Sequence, residues 1–270
     1  MDITTLLGLL LGFGAMVASI FIEGGELTAL INVSGAVIVF GGTLGATLAS
    51  FPQRTVVSLP RLFALAFQGQ NLKPEEMIDF FVELATQARR EGLLSLEERA
   101  QSIEDAFLKK GIMLVVDGVD PERVKDILHA DSRAMAHRHR DGYSMLEAMG
   151  GYAPTMGIIG TVMGLVHVLS SLADPSGLGA AIAVAFIATL YGVSSANMLW
   201  LPIGSKLKKR SEAELFVREI MTEGILAIQA GHSSHIVGEY LRAFVAPKLR
   251  ERPESGKQPV DQMQVEPEAA

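Results

Sequence analysis

Four long apolar stretches interrupted by charge-rich ones dominate the pattern of this chain. The most telling is residues 152–202, which holds no Lys, Arg or Glu and a single acidic side chain, Asp174. Asp174-Pro175-Ser176-Gly177, a run of turn formers, divides it. That leaves about 20 mostly apolar residues on each side, enough to cross a hydrocarbon core of roughly 30 Å at 1.5 Å per residue. The predicted spans are 152–173 and 178–202. Two further uncharged runs, 3–22 and 31–51, are joined by Glu23-Gly24-Gly25-Glu26 and predict a first hairpin. The run at 3–22 lacks the basic front region of a cleaved signal peptide and is expected to be a retained span.

Between the hairpins the period becomes that of amphipathic helices. Pro74 opens one, with Glu75 and Glu76 in its first turn, where they complement the helix dipole. Met77, Phe80, Phe81, Leu84 and Ala88 recur at helical spacing. Arg89 and Arg90 fall in the last turn, and Gly92 ends the helix. Ser95 followed by Glu98 is a capping-box pattern that predicts a second helix over about 96–110. After Asp117-Gly118 and Asp120-Pro121 a long charged helix is expected from about 122 to 149, with Gly150-Gly151 leading into the third span. Beyond Pro202 an amphipathic helix runs through Leu215, Ile220, Ile225 and Ile228 to Gly231. A last helix over 234–249 precedes a Pro-, Glu- and Gln-containing tail, 250–270, predicted to be disordered.

The predicted fold class is an all-α membrane protein with four transmembrane helices in two hairpins. The first hairpin is 1–51 and the second 152–202. A helical cytoplasmic domain (52–151) lies between spans two and three, and a helical cytoplasmic segment (203–249) follows the fourth.

Composition agrees: 49% hydrophobic residues and a mean hydropathy of +0.32 are too apolar for an ordinary soluble domain. Of the 23 Lys and Arg, 13 lie in residues 52–150 and the other 10 in 203–270. Several, including Arg54, Arg138, Arg140, Lys206 and Arg210, sit close to span ends. The positive-inside rule then puts both basic segments and both termini in the cytoplasm of a multi-pass membrane protein. The net charge of −7 is spread through those segments and gives no footprint for nucleic acid. With no cysteine there is neither a disulfide nor a thiolate metal site. His137 and His139, two apart, do not share a helical face and suit a basic anchor better than a metal site.

The candidate chemistry lies inside the second hairpin. Pro154, Gly157, Thr161 and Gly164 fall on one helical face, and Ala185, Thr189, Gly192 and Ala196 on another. A threonine in a membrane helix commonly bonds its own backbone, which accounts for either residue alone. Two of them on two small-residue stripes also offer oxygens to a hard cation. The four spans hold no internal Asp, Glu, Lys or Arg, and His167 is their one imidazole. A carrier of protons or sodium in a bilayer normally needs an intramembrane carboxylate. If this chain conducts ions, a partner helix has to supply that group. Pro154 and Pro202, near the cytoplasmic ends of their spans, fit two roles, span terminators or hinges. Asn32, at the outer end of the second span, fits an interfacial residue or a group beside the ion path. Gly8 with Gly12, and Gly41 with Gly45, have the spacing of closely packed membrane helices.

The elbow Arg89-Arg90-Glu91-Gly92-Leu93-Leu94-Ser95-Leu96-Glu97-Glu98 sets cations on one arm and anions on the next. Favourable local helix electrostatics explain it, and so does a charged docking surface for a cytoplasmic partner. No nucleophile–base pair or metal cluster points to an enzyme, and no cofactor is expected.

Three stretches carry a resemblance: residues 153–165 (APTMGIIGTVMGL), Ala188-Thr189-Leu190-Tyr191-Gly192 with Asn197 and Pro202, and the elbow. Through them the chain resembles the MotA/PomA/MotP family of flagellar stator subunits, over essentially residues 1–249. The resemblance implies a ring of five around a dimer of a single-span, peptidoglycan-anchored MotB- or PomB-like protein, which supplies the ion-carrying aspartate. Ion flow would turn the ring, and the elbow would push on the rotor protein FliG. By position, Arg89, Arg90, Glu97 and Glu98 match the rotor-contacting charges, and Pro154 and Pro202 the prolines of conformational coupling. Thr161 and Thr189 match ion-path positions, Thr161 resembling the sodium-type branch. Against sodium stand Ala188, where that branch has a further threonine, and Asn32, near the position of an aspartate. Sodium is favoured over the proton as the transported cation. The alternative is an ExbB/TolQ-like, proton-driven energiser of outer-membrane transport, against which the first hairpin argues.

Overall fold

The computed structural model describes residues 3–69, 74–170 and 178–245; the predicted turn at 174–177 and the tail from 250 lie outside these. Among the described residues every regular element is helical. The chain divides into two units, residues 1–72 with 129–216, and residues 73–128 with 217–270. Among the described residues four helices are long and apolar enough to cross a membrane, as the four-span pattern predicts.

In the first unit α1 (Ile3–Ile22) buries none of its residues. The second apolar helix consists of α2 (Val33–Ala36), a π-turn (Val37–Gly41) and α3 (Gly42–Ser50). Two short helices follow, α4 (Gln53–Val57) and the amphipathic α5 (Leu59–Phe67). The third is α9 (Pro121–Ser170), and the fourth is α10 (Leu178–Ser195), which passes through a second π-turn (Ala196–Trp200) into α11 (Leu201–Gln229). Ile3, Leu7, Leu11, Ile158, Val162, Val166 and Leu169 are all well exposed. That many bare apolar side chains on two helices suit hydrocarbon rather than water as the solvent.

Where the apolar helices emerge, Met145, Leu146, Met149 and Ala153 of α9 pack with Ala196, Trp200, Ile203 and Ala66 of α5. The Phe63 ring meets Trp200 edge-on at 5.9 Å. Truncating one of these fully buried Leu or Met side chains to Ala costs about 2–5 kcal/mol. Arg210, close to the end of the fourth span, donates to the carbonyls of Leu65 and Gln68. Its guanidinium thereby adds a side-chain donor at the end of α5, where the Leu65 carbonyl also accepts from the Gln68 N–H at 3.1 Å.

Two boundaries differ from the sequence expectation. Helix α9 is unbroken through Gly150-Gly151 and through Pro154, so the charged helix expected to end near 149 and the third apolar stretch are one helix. Pro154 lacks the N–H that would bond the Gly150 carbonyl, four residues back. Gly150 has no side chain to crowd that site, and Leu201 packs directly onto its Cα, so neighbouring packing holds the helix together there. The segment expected as one helix over 96–110 is two, α7 (Leu96–Gln101) and α8 (Ala106–Val116). The expected capping box does not form, because Ser95 turns its hydroxyl back onto the Gly92 carbonyl at 2.7 Å. Asp105 starts α8 instead, accepting from Leu108 N–H at 2.8 Å.

The second unit is built on α6 (Pro74–Glu91), which buries Ile78, Phe81, Leu84 and Ala85. Helix α12 (Ser234–Arg242), shorter than the expected 234–249, packs along α6. The Phe81 ring lies flush on Gly224, where an added Cβ would be 2.7 Å from it. Leu96, Ala100, Ile112 and Val115 complete this core with Ile220, Ile225, Val237 and Leu241.

Candidate functional site

Helices α9 and α10 touch backbone to backbone. A Cβ on Gly157 would lie 2.9 Å from the Ala188 carbonyl and 3.3 Å from Gly192 Cα. One on Gly192 would lie 2.5 Å from the Ala153 carbonyl and 3.1 Å from Pro154 Cα. One on Gly164 would meet the Ala185 methyl at 2.6 Å. The two small-residue stripes thus face each other, and absent side chains set the helix separation. By contrast Gly8, Gly41 and Gly45 have nothing within 4 Å of an added Cβ, and Gly12 has only Met198, at 3.8 Å. Close packing within the chain therefore uses the second hairpin and not those pairs.

This approach brings Thr161 and Thr189 together. Their hydroxyl oxygens lie 2.5 Å apart. Thr161 Oγ1 also reaches the Ala185 carbonyl at 3.0 Å and the Gly157 carbonyl at 3.2 Å, and Thr189 Oγ1 reaches Gly157 at 3.3 Å. Bonding to the own backbone accounts for only one of these four contacts. Two hydroxyls and two carbonyls form a half-buried cluster of four oxygens with only two protons among them, so lone pairs exceed donors. Such a cluster can help replace the hydration shell of a small hard cation. It carries no formal negative charge.

The two family departures have packing reasons. Ala188 sits where α2, α9 and α10 cross, its methyl 2.7 Å from an added Cβ on Gly160 and 3.5 Å from one on Gly35. A threonine there would crowd two backbones at once. Asn32 is bonded at both ends of its amide: its Oδ1 accepts from Gly35 N–H at 3.1 Å, capping α2, and its Nδ2 donates to the Val184 carbonyl at 2.9 Å. The Asn32 N–H donates to Tyr191 Oη at 3.0 Å, and Tyr191 in turn donates to the Leu30 carbonyl. Asn32 is thus a clamp between the two hairpins. It also lines, with His167, Ser34 and Met163, a cavity of about 380 Å³. From the sequence Tyr191 stands out only as part of the family-like stretch 188–192; its polar tip on an apolar body is the signal for a buried bond of this kind.

Pro154 lies within the α9–α10 interface, beside Gly192. Pro202 stands directly after the π-turn Ala196–Trp200, where it has no N–H to offer Met198, and it is exposed in a groove with Asn197 and Lys206. Neither proline ends a helix. His137 and His139 face apart, one 3.7 Å from Asp141 and the other 3.1 Å from the buried Ser211 hydroxyl.

In the second unit α6 reverses at Gly92, whose φ of +86° suits glycine, into a tight turn (Leu93–Ser95) and α7. Arg89 and Arg90 occupy the last turn of α6, and Glu97 and Glu98 the first turn of α7. All four are exposed and make no hydrogen bond or ion pair with the described residues. The pairing that braces the elbow uses other groups, Arg99 with Glu83 at 3.3 Å and Arg99 over the Phe80 ring at 5.8 Å.

Comparison with known proteins agrees with this architecture along its length. Residues 6–92 match the motility protein A N-terminal family, and 99–220 the MotA/TolQ/ExbB proton channel family. The chain is 38% identical over 251 residues to motility protein A of Bacillus subtilis (strain 168), covering 93% of each. It is also 38% identical over 245 residues to chemotaxis protein PomA of Vibrio alginolyticus, covering 91% of this chain and 96% of the relative. It superposes on a chain of the flagellar MotAB stator complex from Bacillus subtilis with a TM-score of 0.86, covering 92% of this chain and 98% of that one at 38% identity. For C. jejuni MotAB the TM-score is 0.87 at 30% identity, covering 92% of this chain and 97% of that one. With two small-residue helices packed backbone to backbone, a charged elbow and likeness over nine-tenths of its length, this chain belongs to the MotA family.

Proposed function

We propose that this chain is the ion-conducting stator subunit of a bacterial flagellar motor, working without enzymatic chemistry or a cofactor. The carrying observation is the four-oxygen cluster of Thr161, Thr189, Gly157 and Ala185 within apolar spans (3–22, 31–51, 152–173 and 178–202) that hold no carboxylate. Half of a cation site is present, and the charged half has to come from a neighbour. A single-span MotB- or PomB-like protein anchored to peptidoglycan fits that need, with an aspartate seated against the α9–α10 face. Five copies of this chain surround a dimer of that partner in the inner membrane, with both termini in the cytoplasm.

In this reading the partner's aspartate binds the incoming cation while the threonine oxygens help replace its water. Release to the cytoplasm changes the charge on the partner helix and so its fit to the α9–α10 surface. Pro154 and Pro202 sit where the ladders of α9 and α11 are already interrupted, so these are the points of least resistance to bending. Both helices continue from the first unit into the second. The displacement reaches the Arg89, Arg90, Glu97 and Glu98 elbow, which pushes on the rotor protein FliG and drives chemotactic swimming.

Sodium is the proposed ion, on the strength of the hydroxyl oxygens. A hopping proton needs a titratable group more than it needs a cluster of neutral oxygens. The test is swimming speed against sodium concentration at fixed membrane potential, in cells with this stator and its partner alone. Saturable dependence on sodium is expected. Speed that follows pH and ignores sodium assigns the proton instead, and no swimming at all with an intact partner removes the stator reading.

A further inference from the structure

The elbow holds an apolar residue that neither folding nor charge accounts for. Of the three leucines around the turn, Leu96 is fully buried, Leu93 is half-buried, and Leu94 is 72% exposed. Leu94 is the most exposed of the large apolar side chains described in its unit. It stands at the apex of the turn, with Arg89 and Arg90 before it and Glu97 and Glu98 after it. The turn is held rigidly: Ser95 N–H donates to the Gly92 carbonyl at 3.2 Å, Ser95 Oγ to the same carbonyl at 2.7 Å, and Gln87 Nε2 to the Ser95 carbonyl at 3.0 Å. A leucine presented on a braced apex loses little conformational entropy when a partner covers it. An apolar knob ringed by charges that make no internal pairs has the anatomy of an interface hot spot, with a desolvated centre and a polar rim.

We propose that Leu94 is the apolar anchor of the elbow, inserting into a hydrophobic notch on the rotor protein. That notch lies between an acidic patch facing Arg89 and Arg90 and a basic patch facing Glu97 and Glu98. The proposal rests on the docking reading above and adds a division of labour to it. The four charges set approach and orientation, and Leu94 sets how long the contact lasts. Gln87 is a positioning residue that holds the apex carbonyl in place.

The experiment counts fluorescently tagged stator complexes, and their dwell times, at motors of cells carrying the full stator with its partner, at matched membrane abundance. Leu94→Ser is expected to shorten the dwell time by roughly tenfold, the scale of a hot-spot truncation. Ion leak through the complex stays unchanged, because Leu94 lies far along the chain from the spans. Leu94→Met, which keeps the apolar volume, is expected to retain most of the dwell time. Wild-type dwell in Leu94→Ser overturns the anchor. If the reversal Arg89→Glu with Glu97→Lys still abolishes recruitment in that case, the docking reading stands without the anchor. If both variants dwell as wild type, the docking reading itself fails.

Discussion

The hydroxyl oxygens of Thr161 and Thr189, on different helices, lie 2.5 Å apart, while the Thr161 oxygen is 3.0 Å from the Ala185 carbonyl. Contact of this kind across a hairpin requires α9 and α10 to approach more closely than side chains normally allow. The glycines at 157, 164 and 192 permit it. The chemistry of the cluster and the packing of the hairpin are therefore one property, and both are open to test.

Thr161→Val keeps shape and removes one oxygen. One lost ligand bond of about 1.4 kcal/mol is a factor of ten in affinity. The sodium concentration giving half-maximal swimming speed is expected to rise roughly tenfold, with Thr161→Ser close to wild type. An unchanged sodium response in Thr161→Val takes this hydroxyl out of the ion path.

Gly192→Ala places a methyl 2.5 Å from the Ala153 carbonyl, which is backbone and has little room to yield. The purified complex is expected to lose about 1–3 kcal/mol, read as a lowered thermal midpoint. Gly45→Ala, in open space within this chain, is the comparison and is expected to leave the midpoint within the scatter of surface changes. Equal midpoints for the two variants contradict the backbone-contact account of the hairpin.

Tyr191→Phe removes an acceptor for Asn32 N–H and a donor to the Leu30 carbonyl, leaving both without that partner where α2 begins. Helix-to-helix polar contacts in membranes average about 0.6 kcal/mol, whereas a buried orphaned group costs about 1–3 kcal/mol. A loss in the upper range is expected, because two backbone groups are orphaned at once. Amide exchange at Asn32 in the detergent-solubilised complex should rise with it. Unchanged protection there would mean the clamp is not a stabilising contact.

Much of this architecture is legible in the residues, and the parts that are not share a physical cause. Four charge-free apolar runs fix four helices, because a bilayer tolerates few other solutions. The placement of Arg89, Arg90, Glu97 and Glu98 at facing helix ends follows from Pro74, Gly92 and the dipole rule. The capping box at Ser95 fails because its hydroxyl bonds the Gly92 carbonyl behind it, although α7 still starts at Leu96. Helix α9 runs past its expected end near 149 because tertiary packing of Leu201 on Gly150 overrides weak local propensity. The Asn32–Tyr191 clamp joins residues 159 apart in sequence, a distance no local pattern reports. Sequence rules see neighbours along the chain, and each miss was decided by neighbours in space or by hydrogen bonds those rules do not rank.

Reversing both signs on the elbow, Arg89→Glu with Glu97→Lys, touches no hydrogen bond or ion pair with the described residues. Assembly of the complex is expected to be unaffected, since exposed charges of this kind contribute about 0–1 kcal/mol to folding. Swimming is expected to fail, because steering and register at a charged surface depend on sign. Normal swimming in the double reversal sinks the docking role of these residues.

Pro154 gives the sharpest test of coupling, because its substitution makes α9 a better helix. Pro154→Ala supplies the N–H that the Gly150 carbonyl otherwise lacks, completing the hydrogen-bond ladder at the point where the helix bears on Gly192. A proline in a helix interior costs up to about 3 kcal/mol relative to alanine in a water-exposed helix, so the variant is expected to fold and assemble at least as well as the parent. If the interrupted ladder is the pliable point through which a change at the oxygen cluster passes along α9, stiffening it should stop rotation while the assembled ring, measured by native mass spectrometry, remains intact. Rotation is lost while the ring is kept, whereas simple destabilisation would lose both. Undiminished rotation in a well-assembled Pro154→Ala ring shows that the movement does not pass through this proline. Loss of the ring together with rotation shows instead that Pro154 is a packing residue of the α9–α10 interface.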